Sequence, residues 1–275
     1  MRITGFLFEP FERLVYHSPS RSGGPQEFRL PFFRATVDSL PGGVEALVAL
    51  ADLQGYEIAP EGQSARLAGE RVIEELAAMS ELGMIPPLGR CGIIVAGDMH
   101  SEPDCAKRGG CGDVRSAWLA LARKAAWLAG VAGNHDLFGD RPQDLKDFRK
   151  EPRVHFLHGE VADISGLRIA GMGGVIGNPR KPFRWAPEAY APQVCSLLKA
   201  QPEIFILHEP PGAPGTARNG NPVVEQAFAK AGGPLVICGH KHWDNPLAEL
   251  PGGVQVLNVH ERVVILEKSP VQVTL

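Results

Sequence analysis

Five short apolar runs recur along the chain, and each ends where a block of polar residues begins. The runs occupy residues 46–50, 93–96, 130–132, 204–207 and 235–238. Short runs of aliphatic and β-branched residues that are bounded by Gly, Asp or Asn are typical of buried strands. Strands that alternate with helical segments indicate an α/β layered fold.

Two longer segments between these runs have apolar residues at helical spacing. In residues 65–82 the apolar positions are Leu67, Val72, Ile73, Leu76 and Met79. In residues 114–128 they are Trp118, Leu121 and Leu128. An apolar stripe of this period is the core-facing side of a helix, so both segments are predicted to be helices that cover a sheet.

The second half of the chain holds further strand candidates with Gly and Pro at the breaks. They lie at residues 154–157, 167–172, 254–259 and 262–266. Short strands separated by turn residues are typical of antiparallel connections. A second and more antiparallel sheet is therefore predicted here.

Residues 1–44 differ in composition from the rest and are predicted to be an appended segment, either an edge hairpin or a partner surface. Residues 45–275 are predicted to form the main domain. The first segment contains Phe6, Phe8, Phe11, Phe28, Phe32 and Phe33. Buried packing is the favoured interpretation of these side chains, whereas an exposed aromatic patch would mark an interface.

The length and net charge of the chain reduce the number of protein classes to which it can belong. With 275 residues and 44% apolar residues, the chain is long enough to bury a full core. The formal net charge of −3 gives no basic excess, so nucleic acid is unsupported as a partner. No apolar run approaches the roughly 20 residues that cross a bilayer, and the N-terminus lacks a signal pattern. A cytoplasmic protein without membrane attachment is expected.

The cysteine pattern does not indicate a zinc site of the paired type. Cys91, Cys195 and Cys238 lie in or beside apolar stretches and are predicted to be buried side chains with a structural role only. Cys105 and Cys111 flank a loop and could pair, bind metal or stay free. Free thiols are favoured for a reducing compartment.

Residues with metal-binding side chains follow each of the five runs. The candidates are Asp52, Gln54, Asp98, Asn134, His208, His240 and His242. An Asp after a strand often caps a helix, and a lone His is usually structural, so no single block is specific. Carboxylate, amide and imidazole groups together suit manganese, iron, zinc or cobalt better than calcium.

The order of these blocks strongly resembles the calcineurin-like metallophosphoesterase family. The family pattern is D-x-H, G-D, G-N-H-D, H and G-H-x-H, and the resemblance covers roughly residues 45–267. Its specific parts are G-N-H-D at 133–136 and G-H-x-H at 239–242. The resemblance implies that residues 45–275 form a four-layer α/β/β/α sandwich, with two mixed β-sheets and a dinuclear metal centre above the strand ends.

The resemblance also implies a role for each ligand. Asp98 would bridge two divalent ions, and Asp52 and His242 would hold the first ion. The second ion would be held by Asn134, His208 and His240.

One position departs from the family pattern, because Gln54 stands where the D-x-H motif has His. An amide oxygen is a harder and weaker ligand than imidazole. Gln occurs here in branches that resemble manganese-dependent ADP-ribose hydrolases. Manganese is therefore expected in preference to iron, zinc, cobalt or nickel.

Four residues are predicted to act on the substrate or its surroundings. His135 would stabilise developing charge or protonate the leaving oxygen, and Asp136 would orient its ring or cap a helix. In the loop after Asp98, Arg108 is the candidate phosphate clamp and His100 a second substrate contact. The other histidines, His17, His155, His158 and His260, match no block and are predicted to be structural or exposed.

The predicted function is hydrolysis of a phosphoester or phosphoanhydride bond. Two ions about 3.5–4 Å apart can share a hydroxide that attacks phosphorus in line. A small phosphodiester, nucleotide or diphosphate is the expected substrate, and the chain could act as a homo-oligomer. Two alternatives stay open: a non-catalytic metal-binding scaffold in which Gln54 marks a decayed first site, and a nucleic-acid-end nuclease with a basic channel.

Overall fold

A computed structural model describes residues 1–57, 65–103, 105, 109–212, 218–229 and 233–269. Nineteen strands and five α-helices lie in these ranges. The strands are β1 Ile3–Pro19, β2 Pro25–Val37, β3 Ala46–Ala51, β4 Tyr56–Glu57, β5 Arg66–Leu67, β6 Cys91–Val95, β7 Gly112–Asp113, β8 Trp127–Gly130, β9 Asp136–Leu137, β10 Val154–Phe156, β11 Glu160–Ile164, β12 Leu167–Met172, β13 Val175–Ile176, β14 Arg184–Trp185, β15 Ile204–Leu207, β16 Leu235–Cys238, β17 Leu247–Glu249, β18 Gln255–Asn258 and β19 Arg262–Lys268. The helices are α1 Ala68–Glu81, α2 Arg115–Lys124, α3 Pro142–Phe148, α4 Pro187–Leu198 and α5 Pro222–Ala229.

Two mixed sheets make up most of the structure. The larger has nine strands in the order β10-β8-β6-β3-β19-β2-β1-β4-β5, and the smaller has six in the order β11-β12-β15-β16-β18-β17. Strands β10, β8, β6 and β3 run parallel, whereas β19 is antiparallel to β3. The predicted α/β class with two mixed sheets is confirmed.

Three apolar clusters explain why the strands are buried on both faces. In β3, Ala46, Val48 and Leu50 belong to a cluster shared with α1, α2 and α3. The alternate residues of β3 belong to a second cluster, which they share with β15 and β16 of the six-stranded sheet. A third cluster joins the other face of that sheet to α4 and α5. Since strand side chains alternate between faces, one continuous apolar run fills two layers, and the clusters favour the predicted sandwich order.

Three sequence predictions about elements were wrong in part. Helix α2 ends at Lys124, and Leu128 lies in strand β8, because the apolar stripe of the helix runs on into a buried strand. Strands β10 and β19 belong to the nine-stranded sheet. The six-stranded sheet is parallel at its centre and antiparallel only at its edge pairs.

The first 37 residues build a long hairpin that joins the nine-stranded sheet. Strands β1 and β2 pair in antiparallel fashion, and β2 continues the sheet by pairing in parallel with β19. Phe32 is fully buried, as the favoured interpretation predicted, whereas Phe8 is 58% exposed. Among the described helices, none has the length and apolar content needed to span a bilayer.

The five cysteines all lie in the described residues, and none of them is in a disulfide. Cys91 and Cys238 are buried as predicted, but Cys195 is exposed, because it lies on the solvent side of α4. Cys105 is buried and Cys111 is exposed, and they form no disulfide with each other.

Replacement of Phe32 by Ala should destabilise the fold much more than replacement of Phe8. Loss of a fully buried Phe typically costs about 3–5 kcal/mol, whereas an exposed one costs less than about 1 kcal/mol. Urea unfolding of Phe32→Ala and the matched Phe8→Ala variant measures both values. Equal losses would mean that the hairpin does not pack as described.

Candidate metal centre

The candidate ligands meet at the C-terminal ends of five strands. Asp52 follows β3, Asp98 follows β6, Asn134 follows β8, His208 follows β15 and His240 follows β16. The strand ends of the two sheets come together because both sheets pack on the second apolar cluster. Open α/β sheets commonly place their sites at this edge.

Three of these residues have a backbone conformation that side chains disfavour. Asp52, Asp98 and His240 have φ values of 58°, 55° and 66°, in the left-handed region. Such residues cost about 1–3 kcal/mol each and persist where neighbouring contacts hold them. Here the N–H of Asp52 donates to Gly97 O at 2.9 Å, and the N–H of His240 donates to Asp52 Oδ2 at 2.8 Å. The strain indicates that the loop conformations serve the site.

Two glycines allow the loops to approach each other. A side chain at Gly97 would lie 2.5 Å from Gly133 N and 2.6 Å from His208 Nδ1. A side chain at Gly133 would lie 1.9 Å from Asp98 Oδ1. Only residues without Cβ fit this approach, so the G-D and G-N-H-D blocks need their glycines for packing.

The carboxylate of Asp136 connects these two loops by hydrogen bonds to their backbone N–H groups. Its Oδ2 accepts the N–H groups of Asp98 and Gly133, both at 2.8 Å, and its Oδ1 accepts the N–H of Met99 at 2.8 Å. Burial and the nearby charge of Asp98 raise the pKa of Asp136 to about 7. The predicted role of orienting the His135 ring is therefore corrected, because both carboxylate oxygens are engaged by backbone groups.

Two ligand clusters lie in the described part of the chain. Asp98, His208 and His240 form the more buried one, with ligand atoms that all lie within 4.8 Å of one another. His208 Nε2 is 3.2 Å from Asp98 Oδ2, and His208 Nδ1 is 2.7 Å from Ala96 O. The carbonyl accepts the Nδ1 proton and so leaves Nε2 directed at the shared carboxylate. The family resemblance assigns the bridge to Asp98 and the second ion to His208 and His240, together with Asn134.

Burial and neighbouring charges both shift the pKa values of the three residues in this cluster. Burial disfavours the charged form of His208, but the adjacent Asp98 outweighs it and raises the pKa of His208 to about 10. Burial raises the pKa of Asp98, yet the charge and hydrogen bond of His208 hold it well below its usual range. Burial and the His208 charge lower the pKa of His240 to about 4. A cation bound here would take the place of the proton on His208.

His242, His260 and Glu261 form the second ligand cluster, also within 4.8 Å of one another. Asp52 is joined to it, since its Oδ1 lies 3.1 Å from His260 Nδ1. The prediction that His260 is structural or exposed missed this placement. The signal was present, because His260 follows the apolar run 254–259 just as the other ligands follow theirs.

The donor set fits divalent ions. Asn134 Oδ1 is buried and has no hydrogen-bond partner among the described residues, whereas the buried nitrogens His208 Nε2 and His260 Nδ1 each face a carboxylate oxygen, at 3.2 Å and 3.1 Å. A buried polar atom normally has a partner, so the oxygen of Asn134 requires an explanation, and a coordinated cation supplies one. Gln54 differs, because its Nε2 donates to Asp98 Oδ2 at 3.2 Å.

The residues predicted to contact substrate have different placements. His135 is half-buried, its N–H donates to Asp98 Oδ1 at 2.9 Å, and its Nδ1 lies 3.7 Å from Cys111 Sγ. His100 is buried against Gly112 and offers no exposed nitrogen to a substrate, contrary to the prediction. Burial also lowers the pKa of His100. Arg108 lies outside the described residues.

A groove of about 330 Å³ adjoins the second cluster. Its walls include His242, Glu261 and Arg262 on the metal side, and Phe8, Phe28 and Phe33 of the hairpin. A larger cleft of about 630 Å³ lies beside α1, α2 and α3, and its walls include Glu70, Arg115 and Asp144. Of the candidate ligands, His242 lines the smaller groove, and none lines the larger cleft.

Three solved structures resemble the fold. A Thermus thermophilus protein, TT1561, is 16% identical, with 78% of this chain and 88% of that chain covered and a TM-score of 0.52. Haemophilus influenzae NAD nucleotidase (NadN) is 12% identical, with coverage of 78% and 44% and a TM-score of 0.46. The phosphopantetheinyl hydrolase PptH of Mycobacterium tuberculosis is 17% identical, with coverage of 79% and 90% and a TM-score of 0.44.

The family of this chain is identified by its match to a family model. No sequence among the curated proteins matches the chain significantly. The family model of the calcineurin-like phosphoesterases matches residues 48–244, which is more than half of the chain. That range includes every predicted ligand from Asp52 to His242. The chain therefore belongs to the calcineurin-like phosphoesterase family, and it is a metal-dependent hydrolase of phosphoesters.

Proposed function

We propose that this protein hydrolyses a small phosphodiester, nucleotide or diphosphate with the help of two divalent ions. The proposed ligands are Asp52, Asp98, Asn134, His208, His240 and His242. The observation that carries the proposal is the convergence of Asp98, His208 and His240, whose ligand atoms lie within 4.8 Å of one another. Asp98 is distant in sequence from both histidines, so only the fold brings the carboxylate and the imidazoles together.

Asp98 is the proposed bridge between the ions. Its Oδ1 accepts the N–H of His135, while its Oδ2 faces both His208 and Gln54. The carboxylate is buried and held in a fixed orientation, as a bridging ligand requires. Asp136 contributes to this orientation by accepting the N–H of Asp98.

A bound pair of divalent ions supplies an activated water and offsets charge on the phosphoryl oxygens. The residues of the protein itself would hold the phosphate and donate a proton to the leaving group. His135 is the proposed acid, because its half-buried ring follows Asn134 directly and its backbone is tied to Asp98. Contact with Cys111 Sγ, at 3.7 Å from Nδ1, leaves Nε2 as the nitrogen to donate.

The groove supports a small substrate. Its volume of about 330 Å³ lies within the usual range for small-molecule sites, roughly 300–1,000 Å³. The net charge of −3 argues against a long polyanion such as duplex DNA. We propose manganese as the metal, because carboxylate and amide oxygens make up half of the six proposed ligands. A cytoplasmic location stays a prediction of the sequence.

Asp98→Ala and His240→Ala should each abolish manganese-dependent cleavage of bis(p-nitrophenyl) phosphate. We expect turnover to fall by at least about 100-fold, because each variant removes an ion ligand. The matched control is His155→Ala, which removes an imidazole from edge strand β10. Circular dichroism confirms that the variants fold. Wild-type turnover in both variants would reject the assignment.

His135→Ala should lower kcat while both ions stay bound. A general acid contributes about 10²–10⁴-fold, and the contribution grows as the leaving group becomes more basic. The loss should therefore be larger for a methyl phosphodiester than for a p-nitrophenyl ester. Metal content measured by mass spectrometry separates this effect from ion loss. An equal loss for both esters would contradict the proposed acid role.

A further inference from the structure

The side chain at position 54 carries an amide, which lies beside the proposed bridging carboxylate. Gln54 Nε2 lies 3.2 Å from Asp98 Oδ2 and donates a hydrogen bond to it. An amide nitrogen carries protons and has no lone pair for a cation. The first ion site therefore lacks the imidazole that the family motif places at this position.

His260 brings an imidazole to the same place from another strand. It follows β18 and forms a bridge with Ala51, the residue before Asp52. Its Nδ1 is buried and lies 3.1 Å from Asp52 Oδ1. Neighbouring ligand atoms bound at about 2.1 Å to an octahedral cation lie about 3 Å apart. The 3.1 Å between these two atoms fits two ligands of one ion as well as it fits an ion pair.

The surroundings of His260 leave Nδ1 available as a ligand. Its Nε2 lies 3.6 Å from Glu261 Oε2, which is too long for a hydrogen bond but favours a proton on that nitrogen. Its backbone is anchored at both ends, since the N–H donates to Asn258 Oδ1 and the carbonyl accepts from Arg262 Nε. The ring is therefore held toward Asp52.

His242 is placed differently from His260. Its side chain is 55% exposed, and its Nε2 lies 3.6 Å from the exposed carboxylate of Asp244. Its Nδ1 lies 3.3 Å from the buried guanidinium of Arg262. His242 thus reaches the cluster from its solvent side, whereas His260 reaches it from the interior.

We propose that His260 supplies the imidazole ligand of the first ion that position 54 lacks, next to Asp52 and Asp98. The proposal rests on the two-ion centre of the proposed function. It makes Gln54 a residue that positions the bridging carboxylate through its Nε2 hydrogen bond. An imidazole placed at either position 54 or position 260 should then complete the first ion site.

Metal binding to four proteins tests this assignment: wild type, His260→Ala, Gln54→His and the double variant Gln54→His/His260→Ala. After incubation with manganese and desalting, mass spectrometry gives the ions per chain, and calorimetry gives their affinities. His260→Ala should fall from about two ions per chain to about one, with the first-ion affinity reduced at least about 10–100-fold. The double variant should regain the lost ion, because its new imidazole would stand beside Asp98, where the Gln54 amide lies. His155→Ala is the matched control and should keep both ions.

Each outcome has one meaning. Two ions with unchanged affinities in His260→Ala would overturn the role of His260 and leave the proposed function intact. One ion or none in the wild type would overturn the proposed function and this inference with it. Failure of the double variant to recover would assign His260 a structural role, because a packing defect is not repaired by an imidazole elsewhere. If His260→Ala does not fold, His260→Asn replaces it, alone and in the double variant, and the same readings apply.

Discussion

Burial of three carboxylates at one sheet edge is the constraint on which the site depends. Asp52, Asp98 and Asp136 are each at most 3% exposed, and an isolated buried anion is strongly unfavourable. The protein compensates with backbone N–H groups around Asp136, with His208 beside Asp98 and with His260 beside Asp52. These contacts require loops that approach closely and adopt strained φ values. Divalent cations would complete the compensation and so link stability to metal binding.

The fold could be predicted from the sequence as far as local pattern determines it. All five apolar runs contain or overlap strands, because burial on both faces leaves an uninterrupted apolar signal. The pattern could not decide which sheet a strand joins. Strands β10 and β19 have the same kind of apolar pattern as β12 and β18. Only the pairing with distant strands shows which sheet each of them joins. The boundary between α2 and β8 was missed for a related reason, since a helix stripe and a buried strand are both apolar.

The candidate site could be predicted where a motif names a residue, and less well where a contact defines the role. The convergence of Asp98, His208 and His240 was predicted from the strand ends together with the family motif. The function of Asp136 did not, because its three N–H donors come from two separate loops. His260 was overlooked because it belongs to no motif. Its proximity to Asp52 arises from a bridge between two chain segments that are far apart in sequence.

The long N-terminal hairpin also closes an edge of the main sheet. Strand β19 lies between β3 and β2, so β2 satisfies the backbone groups that β19 turns away from β3. A chain that lacked the hairpin would present β19 as an open strand with a run of valine, isoleucine and leucine, a template for self-association. Proteolytic loss of these residues would thus be followed by aggregation, and it would loosen the strand that begins two residues after His260.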